Sequence, residues 1–379
     1  MTARRLLKEI DWPLALTTLS LALFGLVAVY SATYSFVASD PFYYVKRQSL
    51  WIAVGLAAMA VVLAFDYRAL GRFARVIYLG SAILLALVLV LAPTIMGAER
   101  WIVIGPAQVQ PSEFAKVAII VTLARHLSLK ESVDRLVDLI SPLLHVSLPM
   151  VLVMLQPDLG TALIFIGIVF GMLWVAGYPL RHLLLLAAAG AALFVAAAVL
   201  SLQGWLPILK EYQLRRLLVF LDPYRDRTGA GWNVIQSMIA IGSGGFFGKG
   251  LFSGSQTQLD FLPSRHTDFI FSVIAEELGF LGAFFLFVLY LIFLWRTLRI
   301  GRGARDKFGM LIVTGVAAMI FCHALINIGM TLGVMPVTGL PLPFISVGGS
   351  SLVASFVAVG LVLNVHARRR AIFFSGSHV

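Results

Sequence analysis

Apolar stretches of about 20 residues recur along almost the whole chain, and nothing else restricts its fold as tightly. A helix of that length matches the hydrocarbon thickness of a bilayer. Of the 379 residues, 60% are hydrophobic and only 12% charged, more apolar side chain than a soluble core can hide. Inside a bilayer the backbone must satisfy its own hydrogen bonds, so such stretches are helices. Spans are expected near 13–32, 48–65, 75–93, 112–127, 141–156, 159–176, 183–202, 269–295, 308–333 and 351–367. The fold class expected is an all-α polytopic membrane protein with ten transmembrane helices. The first stretch is too long for a signal-peptide core and lacks a small-residue cleavage site, so it reads as a retained span. No repeat, soluble domain or low-complexity linker interrupts the pattern, and 1–379 reads as one membrane domain.

Charge sets the orientation. Arg4, Arg5 and Lys8 precede span one. Arg68, Arg72 and Arg75 follow span two, and Arg125, Lys130 and Arg135 follow span four. Arg181 follows span six, Arg296 through Lys307 follow span eight, and Arg368, Arg369 and Arg370 follow span ten. All fall on one side, which places both termini in the cytoplasm. The net charge of +11 is therefore an orientation signal, and no nucleic-acid partner is expected. The lone Cys322 sits in an apolar run and reads as packing. The remaining basic residues fall at or near the outer face, most of them in the connection 203–268 between spans seven and eight. That loop is far longer than an ordinary connection. Its Trp205, Leu217, Leu218, Phe220, Phe246, Phe247 and Phe261 argue for short, partly re-entrant helices rather than disorder.

Polar clusters gather at that outer edge. Thr267-Asp268-Phe269-Ile270-Phe271 carries an acid where the long loop re-enters a span, beside Arg265 and His266. A charge at such depth needs a reason. Asp268 is either a cap for span eight or a base poised between a burial that raises its pKa and cations that lower it. In Gln110-Pro111-Ser112-Glu113-Phe114-Ala115-Lys116, the Pro and Ser mark a helix start. Glu113 and Lys116 then share a face, i to i+3. They form either a structural ion pair or a device in which Lys116 reaches Asp268 or a substrate phosphate. Asp158, in Gln156-Pro157-Asp158-Leu159-Gly160-Thr161, is a cap for span six or part of the outer cavity wall. Gly242-Ser243-Gly244-Gly245-Phe246-Phe247-Gly248-Lys249-Gly250 lacks Walker A spacing and reads as an anion nest with Lys249, or as a flexible surface turn. Arg215 and Arg216 suit phosphate oxygens or lipid headgroups. The Pro- and Gly-dense segment 339–351 breaks a helix, which is tolerated only along a cavity or against protein. Its Ser346 and Ser350 line that cavity or cap span ten. No zinc pattern appears.

These segments together resemble the SEDS family, named for shape, elongation, division and sporulation. The likeness runs through the whole chain and is anchored at 110–116, 156–162, 236–249, 261–263, 266–277 and 339–351. Gln256-Thr257-Gln258-Leu259-Asp260-Phe261-Leu262-Pro263 and Pro336-Val337-Thr338-Gly339-Leu340 are most similar to the elongation branch. Two departures are Val347, where many relatives carry Tyr, and Ser264, where Glu is frequent. The resemblance implies a peptidoglycan glycosyltransferase of the bacterial inner membrane. Its substrate would be lipid II, a disaccharide-pentapeptide on undecaprenyl diphosphate, and its partner a class B penicillin-binding protein transpeptidase. By that likeness Asp268 matches the family's essential aspartate, and Glu113 and Lys116 match its polar pair.

The chemistry expected is attack of a sugar 4-hydroxyl on a diphosphate-linked sugar. Asp268 takes the proton. Arg215, Arg216, Lys249 and Lys116 meet the charge on the leaving diphosphate, with a divalent cation (Mg or Mn) as an optional helper whose ligands the sequence does not name. A lipid II flippase and a scaffold without activity are the competing classes. Membrane lipid surrounds the chain under each.

Overall fold

The computed structural model describes residues 8–35, 40–91, 100–105, 107–130, 133–205, 209–226 and 229–369. Arg4, Arg5 and Arg370, assigned to loops above, lie outside these residues, as does Arg227 of the connection 203–268. Along the chain run α1 (Trp12–Thr33), α2 (Tyr43–Ala64), the short α3 (Tyr67–Arg72), α4 (Ala74–Leu91), α5 (Pro111–Ser128), α6 (Ile140–Leu155), α7 (Leu159–Ala176) and α8 (Leu180–Leu202). The long connection folds into α9 (Glu211–Leu221), α10 (Ala230–Gly244) and the single turn α11 (Ser255–Gln258). Then come α12 (Ile270–Arg302), α13 (Lys307–Thr331) and α14 (Gly349–Ala367).

Among the described residues, nine helices are long and apolar enough to cross a membrane. The tenth expected span, α5, has 18 residues but includes Glu113, Lys116 and Arg125. Two of these charges belong to the protein interior rather than to lipid, since Glu113 and Lys116 are both buried, while Arg125, in the last turn, is exposed. The chain is a polytopic membrane protein built from helices, with nine to ten candidate spans. One element was not expected, a two-stranded antiparallel hairpin of β1 (Ile102–Ile104) and β2 (Ala107–Val109), pairing Ile102 with Val109. It is too short and too polar at Gln108 to register as an apolar run.

Burial sorts the spans into inner and outer. In α13 and α14, 72% and 89% of the spanning window is buried, against 11% in α8 and 17% in α2 and α4. Without water to drive helices together, the outer set keeps its apolar side chains for lipid. The inner set can therefore carry polar groups, and α13 holds the buried His323 and Asn327.

The helix α12 is broken at Gly279, whose φ of 64° and ψ of −159° lie outside helical space. The break leaves backbone groups unpaired inside a span, and the glycine-rich segment supplies their partners. Lys249 N and Gly250 N donate to the carbonyls of Glu276 (3.1 Å) and Glu277 (2.9 Å), while Phe280 N and Leu281 N donate to Gly245 O (2.9 Å) and Phe246 O (3.2 Å). This corrects the anion-nest reading of 242–250: these amides dock on a broken helix and are not presented to an anion. A Cβ on Gly279 would stand 2.3 Å from Gly248 N, so no other residue fits there. Between α13 and α14 the chain is irregular but buried, with Leu340, Leu342, Phe344 and Ile345 each at most 3% exposed. The segment packs against protein, as an interrupted helix at membrane depth must.

Candidate active site

Asp268 stands two residues before α12. That helix takes Phe269 as its N-cap and has no side-chain cap, so the capping role open to Asp268 in the sequence is not used. Its backbone is held from several directions. Asp268 O accepts from Asn327 Nδ2 at 2.8 Å, Thr267 O accepts from Ser346 Oγ at 2.6 Å, and Val347 N donates to His266 O at 3.0 Å. Asp268 as a residue keeps an intermediate exposure, so it is not sealed off by its neighbours. A Cβ on Gly339 would lie 3.4 Å from Asp268 Oδ2, so the irregular segment forms one wall. Burial pushes the carboxyl up to about 6, against the pull of the Thr267 hydroxyl and the Arg216 guanidinium. A carboxylate tuned this way is ionised at neutral pH yet holds a proton more readily than a surface Asp.

Arg216, on the amphipathic α9, faces the same crevice. Its Nη1 donates to Thr338 O at 3.3 Å, and its guanidinium carbon lies 5.8 Å from the centre of the Tyr212 ring. Burial lowers its pKa, and Arg100 lowers it further; Asp158 and Asp268 act in the opposite direction. Those four charged groups therefore share one field. Arg100 is one of the basic residues expected at the outer face. Here its Nε donates to Gln156 O at 2.9 Å, and its Nη1 lies 3.7 Å from Asp158 Oδ1. Asp158 does cap α7, accepting from Thr161 N at 3.1 Å. It also accepts from Gln110 Nε2 at 3.1 Å, tying α7 to the start of α5. The capping reading of Asp158 is thus realised, and the same carboxylate also joins two helices.

Beneath this rim lies the ion pair of α5. Lys116 Nζ is 2.8 Å from Glu113 Oε2, with both side chains buried, and 2.7 Å from His323 Nε2. Its partners are those two groups, which favours the structural pair among the roles the sequence left open. Ser346 and Ser350 cap nothing, since α14 begins at Gly349 with Gly348 as its N-cap and has no side-chain cap. Ser346 instead pins the Asp268 loop, and Ser350 Oγ accepts from Gln110 N at 3.0 Å.

Three expected site residues turn to other partners. Arg215 is exposed and pairs with Asp226 at 3.1 Å. Lys249 Nζ binds Glu276 Oε1 at 2.8 Å and Ser255 Oγ at 2.8 Å. Arg265 is buried: it donates to Ala32 O at 2.7 Å, to Ser35 Oγ at 3.2 Å and to Asp260. It clamps the loop to the end of α1. His266 packs its ring 4.9 Å from that of Tyr44, and burial, with Arg265 beside it, lowers its pKa to about 4. It is neutral at physiological pH. Among the described residues no group of three or more His, Cys, Asp or Glu is placed to hold a metal.

Sequence reasoning passed over His323, Asn327, Glu276 and Glu277. The signal was present, because polar and acidic residues within an apolar span are functional candidates by default. Glu276 gathers the amides of Gln256 (2.9 Å) and Thr257 (3.1 Å), and Glu277 accepts from Ser31.

Residues 12–371 match the family described as "Cell cycle protein", that of FtsW, RodA and SpoVE. The chain is 38% identical over 361 residues to a probable peptidoglycan glycosyltransferase FtsW of Geobacter sp. (strain M18), covering 92% of this chain and 95% of that one. It is 37% identical to stage V sporulation protein E of Bacillus subtilis (strain 168), covering 94% and 96%. It is 34% identical to the peptidoglycan glycosyltransferase RodA of Treponema pallidum (strain Nichols), covering 95% and 98%. A chain from the solved work "Structural coordination of polymerization and crosslinking by a peptidoglycan synthase complex" superimposes with a TM-score of 0.79 at 39% identity, covering 96% and 99%. The crystal structure of the rod shape determining protein RodA of Thermus thermophilus gives 0.70 at 34% identity, covering 96% and 98%. Relatives named FtsW, stage V sporulation protein E and RodA thus stand at similar identity, and the likeness extends over the whole fold. The chain belongs to the SEDS family, the FtsW, RodA and SpoVE family of multi-pass membrane peptidoglycan glycosyltransferases.

Proposed function

We propose that this protein polymerises lipid II into glycan strands, with Asp268 as the base. One observation carries the reading: an acid beside a span, excluded from capping, held by backbone contacts on both sides and shifted toward neutrality in a crevice it shares with Arg216. The 4-hydroxyl of the acceptor sugar gives its proton to Asp268 as its oxygen bonds to the anomeric carbon of the donor. The bond to the diphosphate breaks, and that group leaves with the electron pair. Attack from the opposite face inverts the centre, from an α-linked donor to a β-linked product. Arg216 and Arg100 stand nearest the charge that grows on the diphosphate. Lys249 and Arg215 act at longer range or on lipid headgroups. An apolar cleft of about 270 Å³ is lined by Phe271, Phe284, Phe287 and Leu332 among others, and Phe271 is three residues along the chain from Asp268. A lipid chain fits that lining.

The loop 203–268 and Asp268 are placed on the extracytoplasmic side of the inner membrane, with both termini in the cytoplasm. The basis is the side on which the Lys and Arg residues collect. The whole chain, 1–379, acts as one membrane domain beside a class B penicillin-binding protein that crosslinks the strands. The physiological role proposed is elongation and rod shape, a RodA-like role, supported by the runs 256–263 and 336–340. Depletion that rounds the cells supports it, and depletion that yields filaments assigns the chain to division. Purified protein with fluorescent lipid II in vesicles tests the activity itself. Polymer is the expected product. Translocation without polymer means a flippase, and neither means a scaffold.

A further inference from the structure

Two polar side chains of α13 have no part in the mechanism above. Asn327 and His323 are spaced i, i+4 and so point the same way from one helix. Both are buried, at 0% and 2% exposure. Asn327 Nδ2 donates to Asp268 O at 2.8 Å and to Leu340 O at 2.7 Å. Both partners are carbonyls, which only accept, so the amide nitrogen must face them. Asn327 Oδ1 is left without a partner among the described residues, a state native proteins normally avoid. One turn earlier, His323 Nε2 meets Lys116 Nζ at 2.7 Å, and His323 Nδ1 lies 3.3 Å from Pro341 O. An ammonium only donates and a carbonyl only accepts, so the ring is neutral, with its proton on Nδ1.

The contacts join into one ladder. Glu113 holds Lys116, Lys116 donates to His323, and His323 fixes Pro341 O. The adjacent Leu340 O is fixed by Asn327, which holds Asp268 with its second proton. Leu340 follows Gly339, where a Cβ would lie in contact with Asp268 Oδ2 at 3.4 Å, so this segment packs directly against the carboxylate. The gap between the carboxylate and its wall is therefore set from α13. We propose that Asn327 and His323 are positioning residues for Asp268, and that the Glu113–Lys116 pair influences the reaction only through them. Neither side chain reaches the crevice surface, so neither meets substrate. The proposal rests on Asp268 being the base.

The test uses the full-length protein in nanodiscs with lipid II, comparing Asn327→Leu, His323→Leu and His323→Gln. Gln keeps both a donor and an acceptor. Three quantities are read: the split of kcat from KM, the acid limb of the pH profile, and the pH midpoint for carbodiimide labelling of Asp268, followed by peptide mass spectrometry. The labelling does not depend on turnover. The two Leu variants are expected to lose about 10- to 100-fold in kcat, the scale of a 1 Å misplacement. Their KM stays within about twofold. The acid limb and the labelling midpoint both move to lower pH as the carboxylate gains water. His323→Gln stays within about threefold of wild type. Wild-type midpoints in the Leu variants overturn the proposal, as does a rise in KM alone. Should Asn327→Leu not fold, the His323 pair decides: equal activity of Gln and Leu overturns it, and an active Gln beside a slow Leu with a shifted midpoint supports it. An active Asp268→Asn protein sinks the base assignment instead, and the labelling midpoint still reports positioning by itself.

Discussion

Replacing Asp268 by Asn should make the protein more stable while it destroys activity. Burial pushes the folded carboxyl up to about 6, against 3.8 for an ordinary Asp. The gap corresponds to about 3 kcal/mol. Residual contact with water makes that an upper figure. The sign follows from which state holds the proton more tightly. Here the folded value lies above the unfolded one, so folding favours the protonated acid. Below the unfolded value both states are protonated and the carboxyl carries no penalty. Stability is lost as pH rises through about 6, where the folded acid ionises at the expense of its burial. Asn never ionises. The variant should therefore exceed wild type by about 3 kcal/mol at pH 8, by roughly half that at pH 5, and by less than about 1 kcal/mol at pH 4. Thermal unfolding of both proteins in one detergent at those three pH values measures the difference. Equal melting at pH 8, or a gap that widens as the pH falls, refutes a desolvated carboxylate at this position.

Three further outcomes follow from the same contacts. Glycan polymerisation at lipid II well below saturation, where the rate follows kcat/KM, should rise with pH through about 6 and then level off, as one base loses its proton; a pH-rate profile checks it. Lys116→Met leaves Glu113 buried without its 2.8 Å partner, so about 3–5 kcal/mol of stability is lost; Glu113→Leu in the same protein returns most of it, as thermal melting will show. Gly279→Ala forces a side chain into a backbone region open to Gly alone, at about 1–3 kcal/mol, and against Gly248 N at 2.3 Å. Melting should fall, and limited proteolysis should open the segment 245–258.

Much of the scaffold was legible because a bilayer imposes a length on each apolar run. All ten expected spans match helices, with the largest differences at the start of α2 and the end of α12. Helix starts written in local chemistry, Pro111 and the Asp158 cap, are where the sequence puts them. The Glu113–Lys116 contact follows from spacing alone. What stayed hidden depends on segments far apart in the chain. No local pattern shows that Arg265 grips Ala32, that Lys249 is taken by Glu276, or that Arg100 meets Asp158. The break at Gly279 sits inside an apolar run, where a lone glycine is usually absorbed by the helix. Its necessity appears only when the backbone of 245–250 is seen against it. The hairpin before α5 is three residues per strand, below the reach of any periodicity. His323 and Asn327 were visible as polar residues in a span, but their partners lie in three other segments.

The account turns on one carboxylate acting as the base. Purified Asp268→Asn protein, folded and binding lipid II like wild type, should make no glycan polymer at pH 8, where wild type is fully active. Polymer formed at the wild-type rate by that variant contradicts it.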